Sequence, residues 1–340
     1  MPPTNRALWL KAKQESVMVT DEAPYTSPGP DEVVIRTRAV AINPADVGIQ
    51  KAGVLLTKYP AILGCDAAGI VEEVGFELKS HFKPGDRVIG PTSPLKDDYK
   101  YSGFQDYVVL KWPLLAKIPD KTEFSDGAVL PLGINTAAMC LFEKELLALE
   151  FPPGDTGHGK TLLIWGASSS VGACGVQLAT AAGYDVFAIA SRRNHDFLRS
   201  IGAIECFDYN DADLTETMIK SLTGRDIVGA YDAISNQSTL DTLCDILHQS
   251  GGRQLIAAVM PGAEANAKHN VVIKTNFTID LVASGTGARI WQGFVGSALA
   301  EGKLQCKPDV EIVGRGLESV QKAVDLLAQG VSAKKLVVTL

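Results

Sequence analysis

The sequence has no excess of basic residues. Lys and Arg number 32 against 39 Asp and Glu, a formal charge of −7. Binding nucleic acid by counterion release needs a basic surface, so a general nucleic-acid binder is disfavoured, while a local basic pocket stays open. The sequence also has no closely spaced cysteines. Its six, at positions 65, 140, 174, 206, 244 and 306, are never closer than 32 residues, which leaves no CxxC unit and no disulfide framework. Buried free thiols are the expectation, and metal binding is disfavoured rather than excluded. No apolar run reaches the ~18 residues of a membrane span. The N-terminal MPPTNRALWLKAKQ lacks the apolar core of a signal peptide. Both absences point to a cytoplasmic protein with no membrane partner. There is no internal repeat and no low-complexity tract.

What is present is a chain of 340 residues, 46% hydrophobic and 21% charged, enough for two domains with separate cores. The first 130 residues read as strands and turns. The runs DEVVIRTRAVAI (31–42) and AAGIVEEVG (67–75) are rich in Val and Ile, and SPGPDE (27–32) and FKPGDRVIG (82–90) punctuate them. This texture predicts an irregular, largely antiparallel β domain. From Ser125 a helical pattern is expected, with Ser125 as N-cap and Pro131 bending or interrupting it. Then strands alternate with helices or loops: TLLIWG, DVFAIAS, IECFDY, IVGAYDAIS, RQLIAAV and FTIDLVAS, with the intervening segments starting at 171, 194, 214, 238 and 263. Such alternation predicts a parallel sheet covered on both faces. The C-terminal LESVQKAVDLLAQG reads as an amphipathic helix and KKLVVTL as a strand. A lone last strand needs a sheet, so the chain is expected to return to the first domain.

One turn carries chemistry. Between a strand and a helix stand Gly166, Ala167, Ser168, Ser169, Ser170, Val171 and Gly172, with Gly175 one helical turn on. The pattern is close to GxGxxG without matching it. A helix N-terminus offers unpaired N–H groups and partial positive charge, which suits a pyrophosphate. The glycines permit close approach, and serine hydroxyls can donate to phosphate oxygens. About 20 residues on, an acidic side chain commonly binds the ribose 2′-hydroxyl of NAD. Here Ser191, Arg192, Arg193 and Asn194 stand instead. Guanidinium groups suit a 2′-phosphate in charge and geometry, so the cofactor predicted is NADPH. The alternative is that both arginines sit on a solvated helix start.

The segments INPADVGI (42–49), LGCDAAGIVEEVG (63–75), KPGDRVIG (83–90), FQDYVVL (104–110), LPLGINTA (130–137), GASSSVG (166–172) and VSAKKLVV (331–338) occur in that order. In them the chain resembles the medium-chain dehydrogenase/reductase superfamily over essentially its whole length. It is most similar to the zinc-independent quinone-oxidoreductase-like branch, and within that to fungal trans-acting enoyl reductases of polyketide biosynthesis. The resemblance implies an α/β protein: a GroES-like β-rich catalytic domain (1–128 and 285–340) and a Rossmann-type doubly wound parallel-sheet cofactor domain (129–284), with the active site in the cleft between them.

It also implies residues. Zinc members carry a cysteine where Asn43 stands and Gly-His-Glu where Gly64, Cys65 and Asp66 stand, and their four-cysteine lobe has no counterpart in 90–103. Cys65 alone closes no tetrahedral site, so no metal is expected and alcohol oxidation is disfavoured. Reduction of an activated C=C bond by NADPH fits better. Asn43 to Asp46 would line the cofactor cleft, with Thr136 near nicotinamide and substrate. Tyr209 would pack near the 2′-phosphate, and Ser332, Ala333 and Lys334 would close over the cofactor. Structural alternatives stand beside these: Asp46 as a helix cap, Tyr209 as a surface aromatic, Lys334 as a solvated charge. Many relatives carry a lysine where Gly48 stands. Lys51, which can share a helical face with that position, and Tyr59, otherwise a packing residue before Pro60, are the substitute candidates, with water as a further proton source. The partners implied are a small-molecule or carrier-bound enoyl substrate and a polyketide synthase. The competing readings are a free-standing quinone or alkenal reductase, an NADPH-binding sensor, and a non-reductive role in shaping a polyketide intermediate.

Overall fold

The computed structural model describes residues 3–96, 98–275 and 281–340. The chain divides into two compact units. One comprises 1–132, 299–301 and 306–340, and the other 133–298 and 302–305. These limits differ from the expected 128/129 and 284/285, because the helix Pro131–Phe142 has most of its length in the second unit and the chain stays there until residue 298.

The first unit contains strands β1 (Asn5–Leu10), β2 (Val19–Ala23), β3 (Glu32–Ala41), β4 (Ala61–Ile62), β5 (Asp66–Val74), β6 (Arg87–Pro91), β7 (Tyr107–Lys111) and β8 (Ala116–Lys117). The Lys83-Pro84-Gly85-Asp86 turn forms as its residues require. Gly85 has φ 93°, a region that favours glycine. The Asp86 carboxylate accepts the Lys83 N–H at 3.0 Å just before β6 begins. Two apolar clusters fill this unit, one around Leu8, Ile42, Leu63 and Phe104, the other around Val33, Val71 and Leu110.

The second unit contains β9 (Lys160–Trp165), β10 (Asp185–Ile189), β11 (Ala203–Phe207), β12 (Asp226–Asp232), β13 (Leu255–Ala258) and β14 (Val272–Thr275). They form one sheet in the order β11-β10-β9-β12-β13-β14, every pairing parallel. This is the doubly wound order, reversing direction between β9 and β12. The strands β9, β10 and β13 are almost wholly buried, as parallel strands covered on both faces must be. The sixth strand is Val272–Thr275 rather than FTIDLVAS, of which 277–280 lie outside the described residues.

The chain then returns. Strands β15 (Asp309–Arg315) and β16 (Lys334–Thr339) belong to the first unit, where β16 lies antiparallel to β3 and parallel to β15. The last strand thus joins the β-rich sheet, of order β15-β16-β3-β5-β6-β8 with β7 on β3. The second sheet is β2-β1-β4.

Two details differ from expectation. Ser125 is not an N-cap: Glu123 precedes a four-residue turn, Phe124–Gly127, and Pro131 opens a new helix rather than bending the old one. Proline is tolerated there because a first-turn N–H has no helical partner to lose. The stretch Phe124–Phe142 also reaches the length and mean hydropathy (1.2) of a membrane span, with 61% of its window buried within the protein.

Candidate active site

In the second unit the phosphate turn is built from the end of β9. Gly166 turns with φ 68°, and Ser169 becomes the N-cap of the helix Ser170–Ala181, its Oγ accepting the Gly172 N–H at 3.1 Å. A Cβ on Gly172 would stand 2.2 Å from the Gly166 carbonyl oxygen, so no other residue fits without moving the turn. Ser168 Oγ accepts a hydrogen bond from Asn194 Nδ2 at 3.1 Å, which leaves its own O–H to donate elsewhere. Asn194 is buried, tying the turn to the segment after β10.

That segment separates the two arginines. Arg192 is committed to acids: its guanidinium grips both oxygens of Asp211 at 2.7 Å, and Nε lies 3.6 Å from Asp208. Its backbone N–H also donates to Asp208. The Asn210 N–H, with lesser help from Arg192, holds the Asp208 carboxyl below the usual range. Arg193 is exposed and makes no ion pair or side-chain hydrogen bond among the described residues. Beside them Ser191 Oγ and Tyr209 Oη share a hydrogen bond of 2.6 Å, and the Tyr209 ring stacks on Trp165 at 6.5 Å. The structure therefore brings together Ser168, Ser169, Ser170, Val171, Gly172, Ser191, Asn194, Tyr209 and the free guanidinium of Arg193. Arg192 here pairs with Asp208 and Asp211, two partners that sequence reading did not weigh.

The first unit holds a different kind of site. Asn43, Asp66 and Lys335 are all buried. Lys335 Nζ lies 3.1 Å from Asp66 Oδ2 and donates to Asn43 Oδ1 at 2.5 Å, while Asn43 Nδ2 donates to Asp66 Oδ2 at 2.7 Å. The other Asp66 oxygen accepts the Leu132 N–H at 2.6 Å. Asp46 accepts the N–H groups of Asn43 and Gly64, each at 2.9 Å. Burial, opposed by those two N–H groups and reinforced by Asp66, pushes the Asp46 carboxyl up to about 7. Asp46 is thus a fully buried structural tie, the cap that was its alternative role.

The remaining candidates scatter. Lys51, in the π-helical turn Gly48–Ala52, pairs with Asp325 at 2.7 Å. Tyr59 Oη is buried with no hydrogen-bond partner among the described residues. Lys334 pairs with Glu311 at 3.1 Å on the surface, and Ala333 between it and Ser332 has φ 50°. Thr136 is half-buried on the helix Pro131–Phe142. The residue missed is Lys335. Alternation along β16 turns Lys334 outward and Lys335 inward. The doublet beside an apolar run was a readable signal, but its partners lie 269 and 292 positions away (335−66, 335−43).

Comparison with known proteins accounts for both units. Residues 29–120 match the alcohol dehydrogenase GroES-like domain, and 170–299 match the zinc-binding dehydrogenase family. The dehydrogenase pigH of Monascus ruber is 37% identical over 371 residues, covering 99% of this chain and 100% of that protein. The trans-enoyl reductase himH of Aspergillus japonicus is 38% identical over 337 residues, covering 98% and 97%. An alcohol dehydrogenase superfamily protein of Novosphingobium aromaticivorans shares the fold with a TM-score of 0.78 at 22% identity, covering 99% of this chain and all of that one.

The two groups such families hold fare differently here. A pyridine nucleotide fits: the second unit offers a capped helix N-terminus that admits close approach, and an unspent guanidinium 21 residues after Gly172 (193−172). Zinc does not fit the first unit's residues. Asn43 and Asp66 are spent on Lys335, on each other and on Leu132. Burial, then Asp46 and Asp66, push the Cys65 thiol well above its usual value, against the thiolate that zinc requires. With full-length relatives at 37–38% identity and both units matched, the chain belongs to the medium-chain dehydrogenase/reductase superfamily, a pyridine-nucleotide-binding family of oxidoreductases.

Proposed function

We propose that the protein is a zinc-independent, NADPH-dependent enoyl reductase acting in trans on a polyketide-type enoyl thioester, delivered by the carrier of a polyketide synthase. The reading is carried by the open cationic end of β10, in a fold whose full-length relatives include a trans-enoyl reductase.

Bound NADPH supplies a hydride, which reduces the β-carbon of the α,β-unsaturated thioester. The protein's own residues do the rest. The N-terminus of the helix Ser170–Ala181 and the hydroxyls of Ser168 and Ser169 hold the pyrophosphate. Arg193, with Ser191 and Tyr209, holds the 2′-phosphate, while Arg192 braces the loop through Asp208 and Asp211. Asn43 is held at a fixed angle by Lys335 and Asp66. Thr136 would stand near the nicotinamide and substrate, as the family resemblance implies. Gly48 stands where many relatives carry lysine, Lys51 is engaged by Asp325 and the Tyr59 hydroxyl is buried, so water is the proton source this reading assigns to the α-carbon.

The test is NADPH oxidation, followed at the nicotinamide absorbance, with a medium-chain enoyl thioester beside a simple quinone and with NADH in parallel. Turnover with the thioester and NADPH, weak with NADH, is the expected result. Turnover with the quinone alone would replace this reading by a free-standing quinone or alkenal reductase. Binding without turnover of either would leave a non-reductive role.

A further inference from the structure

The helix Pro131–Phe142 packs against the helix that opens at the phosphate turn. A Cβ on Gly133 would stand 2.8 Å from Cys174 Sγ and 3.2 Å from the Ser170 carbonyl oxygen. Its N-terminal half therefore lies directly on the first turn of the helix Ser170–Ala181. Two residues on stands Asn135, with Thr136 next to it, and both are half-buried.

The Asn135 amide is held from one side. Trp291, 2% exposed, donates its indole N–H to Asn135 Oδ1 at 2.8 Å. An indole nitrogen only donates, so the amide atom that meets it is the oxygen, and the orientation of the amide is fixed. Trp291 opens the π-helical turn Trp291–Val295, a form found mostly as single turns and frequently at functional sites. Its segment is also tied just past the other end of the same helix, where Ser284 Oγ donates to Glu143 Oε1 at 2.5 Å. What remains is the NH2 of the amide. It has no hydrogen-bond partner among the described residues. Nor is it among their sealed unpartnered atoms, which belong to Thr37, Tyr59, Thr161, Tyr231 and Gln254. A half-buried donor with a fixed orientation and no partner suits an incoming oxygen.

We propose that Asn135 is a catalytic hydrogen-bond donor, its Nδ2 meeting the carbonyl oxygen of the enoyl thioester. The assignment rests on the enoyl-reductase reading above and adds the group that receives the developing charge. As the β-carbon gains hydride, the C=C pair moves to join the α-carbon to the carbonyl carbon, and the C=O pair moves onto oxygen. The N–H is not transferred. It stabilises the enolate oxygen until the α-carbon takes its proton from water and the carbonyl re-forms.

Two variants separate donation from packing. Asn135→Leu removes the whole amide, whereas Asn135→Asp keeps the shape and an acceptor for the Trp291 N–H and loses only the donor. Both should lower kcat and kcat/KM for a medium-chain enoyl thioester about 100-fold and leave the Kd of NADPH within about 2-fold. Retained melting temperature certifies folding. A second readout needs no turnover. Octanoyl-pantetheine with an isotope-labelled carbonyl has no double bond to reduce, and infrared difference spectroscopy reads its C=O stretch when bound to the NADPH-loaded protein. That stretch should lie at lower wavenumber in the parent protein than in either variant.

Normal kcat in Asn135→Asp with a loss only in Asn135→Leu reduces Asn135 to a structural tie for Trp291 and overturns the proposal. Weakened NADPH binding with unchanged kcat also overturns it, because the amide would then serve the nicotinamide carboxamide. If the carbonyl shift depends on Asn135 while no enoyl thioester oxidises NADPH, the donor stands and the reaction assigned above fails. Normal turnover in both variants leaves that reaction standing and removes the donor. A thioester that neither binds nor turns over in the parent protein removes both.

Discussion

The two charged sites, one in each unit, are built in opposite ways. In the first, Lys335, Asp66 and Asn43 are buried and each satisfies the others. Among the described residues these charges answer one another, so the site fixes geometry. In the second, Arg192 is spent on Asp208 and Asp211 while its neighbour Arg193 stands exposed with no such partner among the described residues. In the reading proposed above, that site receives a ligand's charge. Adjacent or equivalent cations are therefore told apart by what already holds them, not by residue type.

The comparison breaks most plainly at Lys335. Lys335→Met leaves Asp66 buried without its cation, at a cost of about 3–5 kcal/mol. Urea unfolding measures it, and adding Asp66→Asn should recover part of the loss. Full stability in the single variant would show that the network is not closed.

Asp46 sharpens the same point through pH. Its folded-state value of about 7 lies above the unfolded one, so the folded protein binds the extra proton. Stability from this group is complete below about pH 4 and is lost as pH rises towards and through 7, a change on the order of 4 kcal/mol. Unfolding midpoints between pH 4 and 8 should slope less steeply in Asp46→Asn. A slope identical to that of the parent protein would contradict the burial.

The open site is tested next. Gly172→Ala forces a carbon against the Gly166 carbonyl and should cost about 2–3 kcal/mol in stability, with loss of NADPH binding. The smallest effect separates the arginines. Arg193→Ala should lower NADPH affinity about 10-fold and leave NADH affinity alone, whereas Arg192→Ala should change NADPH affinity about 3-fold or less. Fluorescence titration with both nucleotides decides it, and equal losses in the two variants would remove the distinction drawn here.

Much of the second unit was legible because its signals are local. The alternation of apolar runs, the Gly166–Gly172 turn and the 191–194 segment each lie within a few residues, and strand period and helix capping act over that range. Five of the six strands of this sheet fall on the runs read from the sequence. Pro131 was recognised as a break, but whether it would bend one helix or begin another depended on packing that the pattern does not contain.

Sequence alone therefore determined the α/β class, the return of the last strand to the β-rich unit, and the position of the phosphate turn. Each follows from short-range periodicity and backbone preference. Tertiary structure alone decided that Lys335 rather than Lys334 is buried against Asp66, that Asp46 serves as a tie, and that Arg192 is spent while Arg193 is not. These outcomes turn on electrostatics and desolvation between groups brought together only by folding. A charge's energy depends on its neighbours in space, and the order of residues does not state who those neighbours are.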